Sequence, residues 1–491
     1  MKIKNLDVFD KHYDLFIGGE WTPGHGQETI VATNPADGTV LSTFVDATDA
    51  DVDDAVAAAQ RAFAAFRHTS VQERSDLLLK IADVIEKNTD LLALQETLDN
   101  GKPIRETKGI DIPLSADHFR YFAGVLRASE GTATKLDDDT LSITLREPLG
   151  VVGQIIPWNF PFLMAAWKIA PALAMGNTIV IHPSSSTSLS LLSLMKLIAP
   201  ILPKGVVNVV TGKGSKSGEY LQHHKGLRKL AFTGSTSVGR EIALSAAQNL
   251  IPATLELGGK SADIFFDDMP YQRALEGAAK GILFNQGQVC CAGSRIFVQE
   301  GIYDRFVGDL IKIFKSIKVG CPWDTDTQMG AQVNKHQVEV IDRLVKIGAQ
   351  EGKILVGGHP LEGAGAFYAP TLIAADNKSI VAQEEIFGPV AVVIKFKTVD
   401  EVIAMANDSA YGLGGAVWTR DLNTALKVAQ GVQTGRMWVN TYNELPAGAP
   451  FGGYKDSGIG RETYKSLLEA YSQVKNIYIS LKDKPDGFYG F

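Results

Sequence analysis

The stretch VVGQIIPWNFPFLMAAWKIAPALAMGNTIVI, residues 151–181, decides the fold class of this chain. It opens and closes on short apolar runs, and a helix-length segment lies between them. Prolines, asparagines and Lys168 interrupt it, so it falls short of a membrane-spanning segment. Further apolar runs follow at residues 206–210, 229–233 and 254–257. Fully apolar strands that alternate with helices predict a parallel α/β sheet covered by helices on both faces.

A second series of apolar runs begins at residue 261, and the length of 491 residues also favours two large domains. Strands of the second α/β domain are expected near residues 261–266, 296–298, 391–396, 415–419 and 437–440. Two other segments, 141–147 and 475–481, alternate polar and apolar side chains outside this rhythm. Because edge strands readily pair with another chain, these two segments are expected to form an antiparallel arm between subunits.

The composition favours a cytoplasmic protein that acts on a small molecule. Its formal charge of −7 provides no general basic surface for nucleic acid or acidic lipid, so neither partner is expected. The three cysteines, Cys290, Cys291 and Cys321, do not form a disulfide framework, which fits a reducing compartment. The first ten residues lack the apolar core of a secretion signal. No histidine or cysteine spacing indicates a metal site.

Cys290 and Glu256 are the two candidate reactive residues. Cys290 lies in FNQGQVCCAGSR, residues 284–295, a glycine-punctuated polar stretch that a packed core would not need. Glu256 ends an apolar run, where a carboxylate is costly unless its chemistry is used. Together they predict covalent catalysis with a general base. A buried cysteine is otherwise most often a packing residue, and that alternative suits the neighbouring Cys291 better.

Polar or glycine-rich loops follow the predicted strands of the first domain. They comprise residues 158–159, 182–185, 212–218, 234–235 and 258–259. In parallel sheets ligands bind beyond the carboxyl ends of the strands, so these loops are expected to converge on one edge. The loop GSTSVG, residues 234–239, could bring a helix N-terminus to a phosphate. Its spacing is not the three-glycine dinucleotide fingerprint, and an ordinary strand-to-helix turn is the alternative.

Two segments, LELGGKS at 255–261 and GQVCCAGSR at 287–295, resemble the signature sequences of the aldehyde dehydrogenase superfamily. Five other segments match that superfamily in order and spacing over nearly the whole chain, which is most similar to bacterial acetaldehyde-type members. The resemblance implies two doubly wound parallel-sheet domains and a small antiparallel oligomerisation arm. It assigns residues 1–130 and 150–260 to a cofactor-binding domain, 261–470 to a catalytic domain, and 131–149 and 471–491 to the arm. A homodimer or homotetramer is expected.

The resemblance also implies the reaction, which is oxidation of an aldehyde to a carboxylate with NAD or NADP. The Cys290 thiolate would add to the aldehyde, and the Asn159 amide and the Cys290 N–H would hold the oxyanion. Glu256 would activate water to hydrolyse the resulting thioester and could help to form the thiolate. Glu462 would support Glu256. Lys168 is assigned to both the catalytic and the cofactor sets, with a surface lysine of an amphipathic helix as the alternative.

The cofactor contacts implied by the resemblance extend across both predicted domains. They are Ile155, Pro157, Trp158, Lys168, His182, Ser184, Ser185, Gly214, Gly218, Phe232, Gly234, Ser235, Val238, Leu257, Glu385 and Phe387. The chain departs from the family at His182, where lysine is usual, and at Ser185, where glutamate is frequent. That glutamate normally repels a 2′-phosphate, so its replacement predicts that NADP is accepted as well as NAD.

The substrate positions implied by the resemblance are apolar. They are Phe160, Met164, Trp167, Phe284, Val289, Cys291, Leu445 and Phe451. Because no lysine or arginine stands among them to bind a second carboxylate, small aliphatic aldehydes such as acetaldehyde, or aromatic ones, are favoured over semialdehyde acids. The competing interpretations are a coenzyme A-acylating dehydrogenase, which would lack Glu256, a thiol hydrolase, which would need a partnered histidine, and a non-enzymatic protein of the same fold.

Overall fold

The computed structural model describes residues 6–490 of the chain. The strands, in chain order, are β1 His12–Tyr13, β2 Leu15–Ile17, β3 Glu20–Thr22, β4 Thr29–Thr33, β5 Val40–Val45, β6 Thr132–Asp137, β7 Thr140–Pro148, β8 Val151–Ile156, β9 Thr178–Pro183, β10 Val207–Val209, β11 Lys229–Thr233, β12 Ala253–Glu256, β13 Ala262–Phe265, β14 Arg295–Gln299, β15 Lys353–Val356, β16 Thr371–Ala374, β17 Val390–Phe396, β18 Tyr411–Gly412, β19 Gly414–Trp418, β20 Arg436–Val439, β21 Tyr454–Lys455, β22 Gly458–Ile459 and β23 Ser472–Ser480.

The helices pack around these strands. They are α1 Asp49–Phe66, α2 Val71–Lys87, α3 Thr89–Asn100, α4 Ile104–Glu106, α5 Ile112–Arg127, α6 Pro161–Ala174, α7 Leu189–Ile198, α8 Glu219–His223, α9 Thr236–Gln248, α10 Tyr271–Leu283, α11 Tyr303–Ser316, α12 Lys335–Glu351, α13 Ile380–Gln383, α14 Val399–Asn407, α15 Leu422–Gly431 and α16 Leu467–Ala470. No helix within residues 6–490 is both long and apolar enough to cross a membrane.

The first sheet contains eight strands in the order β22-β12-β11-β8-β9-β10-β2-β3. The five strands from β12 to β10 run parallel, and β22 and β2 join them antiparallel at the two ends. Alternate residues of β9 face different layers: Ile179 and Ile181 belong to the same core cluster as α6, whereas Val180 packs in the cluster that contains residues of α1. The predicted parallel sheet with helices on both faces is therefore confirmed.

The second sheet has seven strands in the order β15-β16-β17-β14-β13-β19-β20. All of its neighbouring pairs are parallel except β15 with β16. This confirms the second α/β domain and its five predicted strands. The sequence analysis did not predict β15 and β16, which extend the sheet at one edge.

A three-stranded antiparallel sheet, β6-β7-β23, stands apart from the two large sheets. The two alternating segments found in the sequence pair with each other here, from Ser472 opposite Pro148 to Ser480 opposite Thr140. The pairing therefore lies within one chain. Val474 and Tyr478 are exposed on one face of β23 and form a short apolar strip there, and Ile477 is exposed on the other face.

The strand order places the candidate residues at one edge of the first sheet. β8, β11 and β12 are neighbours, and they end just before Asn159, just before Ser235 and at Glu256, respectively. The loops before β14 and β17 of the second sheet carry Cys290 and Glu385 toward the same region. The short strand β22 returns from the C-terminal part of the chain to pair with β12, so Glu462 follows a segment of the first sheet.

Candidate active site

A cavity of about 270 Å³ lies between the two large sheets. Its walls include seventeen of the residues that the sequence analysis proposed: Pro157, Trp158, Asn159, Phe160, Met164, Trp167, Gly234, Ser235, Glu256, Leu257, Val289, Cys290, Cys291, Glu385, Phe387, Leu445 and Phe451. The structure therefore brings together Cys290, Glu256 and Asn159 with both the cofactor and the substrate sets.

The remaining proposed residues do not line this cavity. They are Ile155, Lys168, His182, Ser184, Ser185, Gly214, Gly218, Phe232, Val238, Phe284 and Glu462. Six lining residues were not proposed, namely Leu163, Thr233, Gly258, Gln337, Val340 and Ile386. Gln337 and Val340 come from α12, whose amphipathic pattern carries no signal that distinguishes a cavity wall from ordinary packing.

Cys290 follows a backbone segment of unusual conformation. Asn285 and Gln286 have φ values of 46° and 55°, and Gly287 follows with 74°, so three successive residues are left-handed. Non-glycine residues in this region are strained, and such strain persists only where surrounding contacts hold the backbone. On the opposite side, a Cβ at Gly259 would overlap the carbonyl oxygen of Cys290. The second glycine of the 258–259 pair is therefore required by close approach of two backbones.

The Cys290 thiol is half-buried, and its surroundings favour the protonated form over the thiolate. A hydrogen bond with the Cys291 thiol, burial, and the nearby carboxylates of Glu256 and Glu385 raise the pKa of Cys290 well above its usual range. A thiol held in this state needs a base to become a nucleophile. Cys291 is fully buried, as expected for a packing residue, and it also contributes to the cavity wall.

Glu256 provides the candidate base. Burial, followed by repulsion from the Glu462 carboxylate, raises the pKa of Glu256 well above its usual range, while Lys168 and Arg461 act in the opposite direction. Its Oε2 atom has no hydrogen-bond partner within residues 6–490. A buried carboxyl group with a raised pKa accepts a proton more readily than an exposed one. Glu256 therefore fits proton transfer from a thiol or a water in the cavity.

Lys168 is completely buried, so the interpretation as a surface lysine is wrong. Helix α6 is buried along its whole length, and the Lys168 Nζ atom lies 2.7 Å from Glu462 Oε1 in an ion pair with no solvent exposure. The Gln154 side chain donates to the Lys168 carbonyl oxygen at 2.7 Å. Lys168 acts on the cavity through the electrostatics of Glu462 and Glu256 and does not form part of its wall.

Asn159 is buried beside the nucleophile. Its Nδ2 atom donates to the Gln288 carbonyl oxygen at 2.9 Å, and its own carbonyl accepts from Asn285 Nδ2 at 2.8 Å. One hydrogen of the Asn159 amide is thereby used, which leaves the second for a ligand. No acceptor for the Cys290 backbone N–H is found among the described residues. Two donors near the thiol are the arrangement that an oxyanion requires.

The opposite end of the cavity suits a phosphate and a ribose. Ser235 caps helix α9, accepting from Val238 N at 3.4 Å, so the positive end of this helix faces the loop after β11. Glu385 accepts from the Gly259 N–H at 3.0 Å, and burial raises the pKa of Glu385 to about 7. Any side chain at Gly258 would overlap Glu385 Oε2. Trp158 and Phe387 contact each other edge to face, with ring centroids 5.1 Å apart.

His182 and Ser185 lie beyond this end of the cavity. His182 is buried with its Nε2 atom 2.9 Å from Ser217 Oγ, in contact with the segment 214–218. Burial lowers the pKa of His182 to about 4, so its ring is neutral at physiological pH. Ser184 and Ser185 are half-exposed at the end of β9, within reach of solvent or a ligand.

The end of the cavity that carries the predicted substrate positions is aromatic. Trp167 contacts Phe451 edge to face at 5.5 Å, and Phe160 packs on Phe284, which stands behind the wall, at 6.0 Å. The Trp167 indole N–H is buried and has no acceptor within the described part of the chain. No basic side chain lines this cavity, and no cluster of potential metal ligands occurs within residues 6–490.

Comparison with known proteins places this geometry in context. The model of the aldehyde dehydrogenase family matches residues 21–477. Aldehyde dehydrogenase B of Escherichia coli (strain K12) is 50% identical over 489 residues, which cover 97% of this chain and 95% of that protein.

Solved structures give the same result. An NAD⁺ complex of an aldehyde dehydrogenase from Bacillus cereus is 40% identical, covering 98% of this chain and 100% of that one, with a TM-score of 0.96. A betaine aldehyde dehydrogenase from Staphylococcus aureus in complex with NAD⁺ is 38% identical, covering 98% and 97% of the two chains, with a TM-score of 0.95.

Proposed function

The chain belongs to the aldehyde dehydrogenase family and is an NAD(P)-dependent aldehyde dehydrogenase, and from this premise we propose that it oxidises small aldehydes through a covalent intermediate on Cys290. One observation carries the proposal: Cys290, Glu256 and Asn159 line a single cavity although they come from three separate parts of the chain. The overall reaction converts an aldehyde, water and NAD(P)⁺ into a carboxylate, NAD(P)H and two protons.

In the first step the Cys290 sulfur bonds to the aldehyde carbon, and the thiol proton passes to Glu256. The raised pKa of Glu256 favours its uptake of the proton, whereas the raised pKa of Cys290 opposes loss of the proton from a free thiol. The proton therefore leaves as the carbon–sulfur bond forms and the negative charge moves to the carbonyl oxygen. The carbonyl π electrons move to oxygen, which the Asn159 amide and the Cys290 N–H stabilise as an oxyanion. The product of this step is a thiohemiacetal.

In the second half of the reaction a thioester on Cys290 is hydrolysed. NAD(P)⁺, when bound, supplies one chemical capacity, which is to accept a hydride. Glu256, after releasing its proton, removes a proton from water as the water oxygen bonds to the acyl carbon. The carbon–sulfur bond then breaks, and Cys290 leaves as a thiolate that regains a proton. Lys168 and Glu462 tune the basicity of Glu256 during this step.

The residues present fit a dinucleotide. The capped N-terminus of α9 suits the pyrophosphate, because its backbone N–H groups and helix dipole favour an anion. The Glu385 carboxylate, anchored by Gly259 N–H, suits a ribose hydroxyl, and Phe387 lies beside it in the wall. Ser185 carries no charge to repel a 2′-phosphate, and we therefore expect turnover with NADP as well as with NAD.

The substrate is a small aliphatic or aromatic aldehyde. Phe160, Met164, Trp167 and Phe451 give the substrate end an apolar surface, and it offers no cation for a second carboxylate. Acetaldehyde-like compounds fit this chemistry best. We further propose that β6, β7 and β23 form an oligomerisation arm, because β23 exposes an apolar strip on a free edge strand, and that the enzyme works as a cytoplasmic homodimer or homotetramer.

An initial-rate assay tests the proposal. Formation of NAD(P)H is followed by absorbance with acetaldehyde, benzaldehyde and succinic semialdehyde, with and without coenzyme A. We expect turnover that does not depend on coenzyme A and a preference for the uncharged aldehydes. Cys290→Ser should abolish turnover, whereas Cys321→Ser, at an exposed cysteine outside the cavity, should leave it unchanged. Full activity of Cys290→Ser, or a preference for the semialdehyde acid, would contradict the proposal.

A further inference from the structure

Glu106 is a buried carboxylate that the reaction sequence above does not use. It ends the short helix α4 and lies far from Cys290 in sequence, yet its Oε2 atom accepts a hydrogen bond of 2.9 Å from the backbone N–H of Asn285. Asn285 begins the left-handed segment that leads to Cys290. The carboxylate therefore bonds to the nucleophile loop at the first of its three left-handed residues.

The Asn285 side chain also bonds to Asn159 and Gln288, the two residues beside the proposed oxyanion site. Its Nδ2 atom donates to the Asn159 carbonyl oxygen at 2.8 Å and to the Gln288 carbonyl oxygen at 3.1 Å. The Asn159 side chain donates to the same Gln288 oxygen at 2.9 Å. Glu106 is thus connected through one residue to the amide donor of the oxyanion site and to the turn that carries the thiol.

Glu106 makes two further contacts, one through its backbone and one with Arg105. Its backbone N–H donates to the Pro103 carbonyl oxygen at 2.8 Å. The guanidinium of Arg105 lies 3.7 Å from Glu106 Oε1 and donates to the Gln328 carbonyl oxygen at 2.8 Å. Burial raises the pKa of Glu106 to about 7, and the hydrogen bond from Asn285 opposes that rise. The Glu106 carboxylate thereby satisfies the backbone N–H of a left-handed residue in this buried loop.

From this geometry we infer that Glu106 is a positioning residue for the aldehyde dehydrogenase reaction, which fixes Asn285 so that the Cys290 thiol and the Asn159 amide keep their relative placement. The inference rests on the proposed role of Cys290. Glu106 touches neither substrate nor cofactor in this scheme. Its loss should therefore slow the chemical step, because a displacement of about 1 Å between reacting groups can cost about 100-fold in rate.

The test compares Glu106→Ala, Glu106→Gln and Asp99→Ala. Glutamine keeps an acceptor oxygen in nearly the same place, whereas alanine removes it. Asp99 is an equally buried carboxylate of helix α3 that accepts from Leu189 N and Ser190 N at 2.9 and 3.3 Å and does not bond to the nucleophile loop. Asp99→Ala thus controls for the general loss of a buried, hydrogen-bonded carboxylate.

For Glu106→Ala we expect kcat to fall about 30-fold to 100-fold with KM for aldehyde changed by less than about 3-fold. Glu106→Gln should recover kcat to within about 5-fold of the unmodified enzyme. The rate of Cys290 alkylation by iodoacetamide, resolved by peptide mass spectrometry, should change in parallel. Asp99→Ala should lower the melting temperature and leave kcat per folded enzyme and the alkylation rate unchanged.

Folded Glu106→Ala with an unchanged kcat and alkylation rate would overturn the inference. An equal loss in Asp99→Ala would also overturn it, because the effect would then be one of general stability. If Glu106→Ala does not fold, Glu106→Asp replaces it, since the shorter side chain keeps the charge and withdraws the acceptor. The alkylation assay needs no aldehyde, so it separates failure of this inference from failure of the proposed reaction, which an active Cys290→Ser would reveal.

Discussion

Gly259 packs so closely against Cys290 that a Cβ at this position would overlap the Cys290 carbonyl oxygen. The Gly259 N–H at the same time donates to Glu385 Oε1 at 3.0 Å. Gly259, in the loop after β12, therefore sets the distance between the nucleophile turn and the Glu385 carboxylate, which is proposed to hold the cofactor ribose. The two sheets approach each other here through backbone atoms of Gly259 and Cys290.

Gly259→Ala should lower kcat/KM for aldehyde by about 100-fold, because the nucleophile turn must move to admit the methyl group. Steady-state kinetics with a circular-dichroism check of folding measure this effect. The matched control is Gly109→Ala, since Gly109 is exposed and has open space where a Cβ would stand. Unchanged activity of a folded Gly259→Ala would show that the turn tolerates displacement.

Lys168→Met should shift the acid limb of the kcat profile to higher pH by about one unit. Lys168 lowers the pKa of Glu256, so its removal raises that pKa and the basic form of Glu256 then appears only at higher pH. Loss of the ammonium also leaves Glu462 buried without its partner, at a cost of about 3–5 kcal/mol in unfolding free energy.

The double variant Lys168→Met with Glu462→Gln is the control for this experiment. It removes both charges of the buried pair and should recover most of the lost stability in denaturant unfolding. A pH profile that does not move in Lys168→Met would mean that the ion pair has no electrostatic influence on the base.

Ser185→Glu should reduce kcat/KM for NADP by about 10-fold and change that for NAD by much less. A glutamate at the end of β9 would place a negative charge where the 2′-phosphate of NADP is expected and would repel it. The ribose hydroxyls of NAD could instead donate hydrogen bonds to the same carboxylate. Initial rates with both cofactors at fixed aldehyde measure the ratio. Ser186→Glu is the matched control because Ser186 is the exposed neighbour. Equal effects on the two cofactors would place the adenosine ribose elsewhere.

Glu385→Gln should stabilise the cofactor-free enzyme more at pH 8.5 than at pH 5.5. Burial raises the folded-state pKa of Glu385 from 4.5 to about 7, so ionisation is disfavoured in the folded state. Stability is therefore lost as the pH rises from about 4.5 to about 7, and glutamine removes this loss. Linkage gives a difference of about 2 kcal/mol between the two pH values. Equal stabilisation at both pH values, measured by denaturant unfolding, would contradict the raised pKa of Glu385.

The sequence was sufficient for the elements whose two faces are both buried. Strands such as β8 and β11 begin and end where their apolar runs do, because a parallel sheet between helix layers demands apolar residues throughout. Strands β15, β16 and β22 have two to four residues, so their patterns are too short to distinguish from loops. Strands β15 and β22 lie at sheet edges, and β16 is the neighbour of β15.

The residues of the candidate site also differ in whether the sequence alone could predict them. Cys290 was predicted from the glycine-punctuated polar stretch around it and Glu256 from its place at the end of an apolar run, whereas the role of Asn159 was implied by the family resemblance. The environment of Lys168 was harder to interpret, since a single lysine in a helix favours a solvated face until the neighbouring apolar residues of α6 are seen to be buried on every side. Glu106 gave no signal because its partner Asn285 is distant in sequence and no spacing rule connects them.

The central claim is that the Cys290 sulfur carries the substrate during turnover, and acid quenching followed by peptide mass spectrometry tests it most directly. The enzyme is mixed with acetaldehyde and NAD⁺, quenched and digested, and the mass of the peptide that contains Cys290 is measured. An acetyl group on Cys290 is expected, and it should accumulate in Glu256→Gln, where thioester hydrolysis is slowed. Active enzyme that shows no adduct on Cys290 at any quench time, with none accumulating in Glu256→Gln, would contradict the account.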